Sequence, residues 1–78
     1  MYSYEICNQP DKKLFEKQCL ALEKHIPNLI VGKLLEDVDG SQTQLYTKDG
    51  AKIVVCNNEY IGALYVDSEI DLEQFFKK

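Results

Sequence analysis

Cysteine and histidine are the side chains of this chain best suited to nucleophilic or metal chemistry. There are three cysteines, Cys7, Cys19 and Cys56, and one histidine, His25. A thiol–imidazole nucleophile needs the two groups within hydrogen-bond reach. Cys19 and His25 fall on one expected helix, where six residues at 100° each leave them about 120° apart, so they do not pair. Zinc sites use closely spaced ligand pairs, and no CxxC is present. An odd number of scattered cysteines fits reduced thiols in a cytosol better than a disulfide framework. Asp37-Val38-Asp39-Gly40-Ser41 begins like a calcium loop. Such a loop needs glycine at its sixth position and a bidentate glutamate at its twelfth. Gln42 and Lys48 stand there, and a lysine cannot offer two oxygens to a cation. There is no Gly-rich phosphate loop, serine elbow or HExxH motif. The sequence therefore predicts no catalytic residue, no metal and no cofactor, and ranks a thiol-dependent enzyme or ligand carrier built on Cys56 or His25 last.

Charge narrows the partners. Thirteen acids against nine bases give a net charge of −4, and every base is a lysine. Arginine is the planar fork that reads phosphates and guanine edges. Its absence from an acidic chain speaks against nucleic acid. The N-terminal residues Met1 to Glu5 show no basic and apolar leader, and no apolar run is long enough to span a bilayer. A cytoplasmic location without a membrane partner is expected. A length of 78 residues is that of one domain spanning residues 1–78.

The pattern along the chain supplies the elements. Tyr2 to Cys7 alternates as a strand. Asn8, Pro10 and Asp11 then make a helix start, and Pro27 ends that helix. Phe15, Cys19, Leu22 and Ile26 form its apolar stripe, widened by Leu14 and Ala21. Leu29 to Val38 reads as a strand that bends at Gly32, with a helix as the competing reading. Asp39-Gly40, Asp49-Gly50 and Asn57-Asn58 are turn signals that separate strands Gln42–Thr47, Ala51–Cys56 and Glu59–Val66. Ser68 or Asp71 would cap a short last helix carrying Leu72, Phe75 and Phe76, with Lys77 and Lys78 at its favourable C-terminal end. The order is β-α-β-β-β-β-α: an α+β fold with an antiparallel four- to five-stranded sheet, one long N-terminal helix and a short C-terminal helix.

Three surfaces are candidates for binding a protein. The strands are apolar or aromatic at both parities, so either the helices cover both faces or one face is left for a partner or a second copy. Tyr46, Tyr60 and Tyr65 are its expected anchors, because tyrosine is enriched at interfaces. Lys13, Lys17, Leu20 and Lys24 form a basic ridge opposite the Phe15 stripe, with one apolar residue in its middle. Asp67 and Glu69 belong to an acidic stretch suited to a basic partner, although turn and cap chemistry explains many of its acids.

From Lys12 to Val66 the succession of helix, Pro27, strand, Gln42–Thr47, the turn Lys48-Asp49-Gly50 and Lys52–Val55 is similar to PepSY-like domains. That resemblance implies a non-enzymatic inhibitory or protein-binding role, in domains that are usually exported. Small acidic domains without catalytic groups are often antitoxins, immunity proteins or phage-encoded inhibitors of host defence. The expectation is therefore a non-enzymatic module that occludes a protein partner, with a structural or regulatory homodimer of PepSY-like architecture as the alternative.

Overall fold

The computed structural model describes residues 2–9 and 11–76, with all of their side chains except that of Phe76. The roles expected of Pro10, Lys77, Lys78 and the Phe76 ring lie outside the described residues. The element order is β1 (Tyr2–Cys7), α1 (Lys12–His25), β2 (Ile30–Glu36), β3 (Gln42–Lys48), β4 (Ala51–Asn58), β5 (Ala63–Ser68) and α2 (Glu73–Phe76). The five strands form one antiparallel sheet in the order β1-β5-β4-β3-β2. The expected α+β class and antiparallel sheet are thus present, and Leu29–Val38 contributes a strand and not a helix.

Local chemistry explains the boundaries. Asp11, and not Asn8, is the N-cap of α1: its extended backbone turns the carboxylate back onto the amides of Lys13 and Leu14, at 2.9 and 3.1 Å. Asp49 and Gly50 both take positive φ, 51° and 85°, which is the two-residue hairpin turn that matches strand twist. The expected strand Glu59–Val66 starts late. The Asn58 carbonyl side chain accepts from the amides of Tyr60 and Ile61, and Gly62 at φ 70° closes the turn. Residues 59–62 are therefore a turn, while β4 runs on through Asn57 and Asn58. The last helix is described over Glu73–Phe76, and Asp71 accepts the amide of its first residue, whereas Ser68 ends β5 and bonds Ile70.

Both helices lie on the same face of the sheet. Phe15, Leu22 and Ile26 of α1 and its C-cap pack with Tyr46, Ile53, Val55, Leu64 and Val66 of β3–β5. Leu72, just before α2, joins this core, with Phe75 against it. The stripe expected of α1 is the buried one, with Cys19 and Leu14 at its margin. Among the described residues, the other face of the sheet carries no helix. Its cross-strand rows follow from the register: Glu5–Tyr65–Cys56–Thr43–Leu35, and Ser3–Asp67–Val54–Leu45.

Candidate functional site

The thiols and the imidazole are kept apart by this arrangement. Cys56 lies on the open face and His25 on α1, with the sheet between them. Cys19 and His25 line different grooves on either side of α1: Cys19 the one toward β2, His25 the one toward β1. Burial is the main cause that raises the pKa of the Cys19 thiol, with Glu23 and Glu16 adding to it against the opposing effect of the neighbouring Tyr46 hydroxyl. A thiol so held is protonated at neutral pH and is a poor nucleophile. Among the described residues no group of three or more His, Cys, Asp or Glu side chains could hold a metal ion.

The three tyrosines expected to form a binding surface have three different fates. Tyr46 is 1% exposed and belongs to the core, its hydroxyl donating to Glu23 at 2.8 Å. Parity decides this, because Tyr46 pairs with Ile53 on the helix-covered face. It cannot meet a partner in this fold. Tyr65 is half-buried on the open face, where its hydroxyl interacts with Cys56 and Asn58. The hydrogen bond with Cys56, followed by burial, raises its pKa above the ordinary tyrosine value. Tyr60 stands in the turn after β4 and is 89% exposed.

Tyr60 has company that the sequence pattern did not single out. Ile61 beside it is 61% exposed, and Val38, in the turn between β2 and β3, is 105% exposed. The two turns sit side by side at one end of the sheet. Ser41 Oγ accepts the Glu59 amide at 2.8 Å, and the Glu59 side chain passes Gly40. Turns usually carry polar residues, since their backbone faces water. Here the tips of two neighbouring turns carry three large apolar side chains. The sequence signal for this is Val38 beside Asp39-Gly40 and Tyr60-Ile61 after Asn57-Asn58, and the expected strand Glu59–Val66 hides the second of these.

The apolar exposure continues along β2. All seven residues from Ile30 to Glu36 are exposed, and Ile30, Val31, Leu34 and Leu35 are each 49–63% exposed. By register Val31 and Leu34 point to the helix side and Ile30 and Leu35 to the open side. β2 thus shows apolar side chains on both faces and a free backbone edge. A bulge between Val31 and Leu34 interrupts it. The Gln44 amide nitrogen bonds the carbonyl oxygens of Gly32 and Lys33, at 3.0 and 3.2 Å, and so holds the bulge.

The lysine ridge is on the solvent side of α1, with Lys13, Lys17 and Lys24 exposed. Leu20 on that ridge, 64% exposed, borders a shallow groove of about 300 Å³ shared with Leu34 and Gln44. The ridge therefore leads onto the β2 side of the molecule. Of the acidic pair, Asp67 lies on the open face and accepts a hydrogen bond from Ser3 at 2.6 Å. Glu69 lies at the end of the sheet, where it accepts the Lys52 amide at 2.6 Å. That is structural work for both, in keeping with turn and strand-end chemistry.

No helix among the described residues is long and apolar enough to cross a membrane. In comparisons with known proteins, the chain matches no family model, no curated protein and no solved structure.

Proposed function

We propose that this chain is a non-enzymatic protein-binding module, which acts by covering a surface of its partner in the manner of an inhibitor, antitoxin or immunity protein. The observation that supports this reading is the apolar end of the sheet, where Val38, Tyr60 and Ile61 project from two turns fixed to each other by Ser41 and Glu59. Three large apolar side chains held in water by rigid turns cost solubility and contribute nothing to the core, which makes them candidates for the buried centre of an interface. Tyr65, one row in from that end, extends the surface onto the open face, and Glu5 and Asp67 give its far side an acidic rim. A partner with an apolar patch beside basic residues fits this chemistry.

The test is affinity capture from the native cell extract with the unaltered chain and with a Tyr60→Ser/Ile61→Ser variant. Both side chains are exposed, so the variant should unfold at the same temperature within a few degrees. The expected result is a stoichiometric partner that the unaltered chain retains and the variant loses. A partner retained equally by both, or none retained by either, would refute the reading.

A further inference from the structure

We infer that β2 is the seam of a homodimer, in which two copies pair antiparallel about Leu35 and join their sheets into one of ten strands. The inference does not rest on the partner-binding reading, because Tyr60 and Ile61 lie beyond β4, two strands away from the seam.

The argument begins with what the edge lacks. Free strand edges are usually protected by a short length, by inward-pointing charge or by a covering loop. β2 is seven residues long, apolar on both faces and uncovered. Beside the charges of Lys33 and Glu36, its device is the bulge at Gly32 and Lys33, where the Gln44 side chain of β3 takes both carbonyl oxygens. The bulge interrupts the ladder in the first half of the strand and leaves Leu34 to Glu36 regular, with their outer edge open.

Charge then selects the occupant and the register. A twofold axis perpendicular to the sheet sets antiparallel edges side by side with both helical layers on the same side. Opposite residues then share a face, so the positions must pair odd with odd and even with even. Centred on Leu35, the pairs are Leu35 with Leu35, Leu34 with Glu36, and Lys33 with Asp37. On the open face this places the two Leu35 side chains between two Lys33–Asp37 ion pairs. Centred on Lys33, the same strand would set two like charges against each other. Centred on Leu34, it would set Asp37 against Val31 and Lys33 against Leu35. Only the Leu35 register is complementary to itself in charge. On the helix side, Leu34 and Leu20 border a groove in each copy, and the pairing would bring the two grooves to the seam. A second copy is thus the occupant whose chemistry β2 already carries.

The experiment is light scattering across micromolar concentrations, on the unaltered chain and on charge-reversed variants. The unaltered chain should reach twice its 9.0 kDa mass. Lys33→Asp sets Asp against Asp, and Asp37→Lys sets Lys against Lys. Each should weaken self-association by at least about tenfold, since two contacts are reversed at once. Mixed in equal amounts, the two variants are complementary again and should form a heterodimer. Leu35→Cys should cross-link to itself on mild oxidation, because the axis passes beside it. A strictly monomeric chain overturns the inference, as it does if the edge takes a strand of another protein instead. So does a dimer that neither reversal weakens, or a mixture that fails to restore it. A failed dimer with capture by Tyr60 and Ile61 intact leaves the partner-binding reading standing.

Discussion

The sheet has two edges, and the chain treats them differently. At the β1 edge the last segment folds back over the strand. Tyr4 accepts the Leu72 amide at 2.9 Å and donates to Asp71 at 3.1 Å, while Leu72 enters the core. Ser3 is tied across to Asp67. At the β2 edge no element among the described residues returns. The chain enters from Pro27, whose carbonyl oxygen accepts Lys48 Nζ at 2.6 Å, and leaves by the turn at Val38. Tyr4 is half-buried and Cys7 packs on the core, whereas every β2 residue is exposed. The difference shows where stability is concentrated: α1, α2 and strands β3–β5 hold the molecule, with β1 locked down and β2 attached largely through its ladder to β3.

The sharpest way to test that division is a matched pair of truncations. Leu64 is fully buried in β5, and Leu34 is half exposed in β2. Leu64→Ala should cost about 3 kcal/mol, combining lost burial with an unfilled cavity. For a domain this small that lowers the melting temperature by roughly 15 °C. Leu34→Ala in dilute solution should cost about 0.5 kcal/mol or less, as exposed substitutions do. Thermal unfolding followed by circular dichroism measures both. Equal losses would mean that β2 is as much a part of the core as β5.

The second test addresses the bulge. A Cβ on Gly32 would sit 2.9 Å from the Leu45 carbonyl oxygen, a contact that backbone must yield to relieve. Gly32→Ala should cost about 1–2 kcal/mol, as overpacking does. It should also displace the Gly32 and Lys33 carbonyls from Gln44, visible as shifted Gln44 side-chain amide resonances. Unmoved resonances would mean that the edge adapts freely and that the bulge is not fixed.

How much of this contrast could be read beforehand depends on range. Local signals were legible: the alternation of Tyr2 to Cys7, the Phe15–Ile26 stripe, the Asp49-Gly50 turn and the bend at Gly32 all depend on neighbours within a few residues. The expected turn at Asn57-Asn58 fell two residues early because asparagine serves both in strands and as a cap, and only the pairing of Asn57 with Gln42 decides which. Nor could composition say that both helices share a face. The apolar parity of β4 on the open side, with Val54 and Cys56, suggested a second cover that the fold does not provide. Tyr46 illustrates the same gap. As a residue type it suits an interface, but its register against Ile53 puts it inside. The exposed Val38 and Ile61 carried no recognised motif, and their meaning comes from two turns meeting through Ser41 and Glu59.

A smaller effect belongs to the locked edge. Tyr4→Phe removes one hydroxyl that both accepts from Leu72 and donates to Asp71. The expected cost is about 1 kcal/mol. The more specific readout is hydrogen exchange at the Leu72 amide, which should speed up while amides in β3 and β4 keep their protection. If Leu72 stays protected, the C-terminal segment is held by the Leu72 and Phe75 side chains alone, and the two edges differ less than their hydrogen bonds suggest.

The smallest effect is acid sensitivity in the turn that feeds β2. Asp39 accepts the Ser41 amide at 2.9 Å, and hydrogen bonds from Ser41 hold its carboxyl below the ordinary value of 3.8. A lowered folded-state pKa means that the unfolded chain takes up the proton first as pH falls. The bond's contribution is therefore complete above about pH 4 and is lost as pH drops through the lower, folded-state pKa. Carbon-detected titration of the Asp39 carboxyl should give a midpoint below 3.8. Protection of the Ser41 amide relative to its intrinsic exchange rate should fall over the same range, and Asp39→Asn should abolish that pH dependence. Because Asp39 is exposed, the global stability change will be slight. The consequence is local: Ser41 also receives the Glu59 amide, so loosening it frees the Val38 turn from the Tyr60 turn. A midpoint at or above 3.8 would remove this link, and the apolar tips would then owe their fixed spacing to the strand ladder and not to the turn.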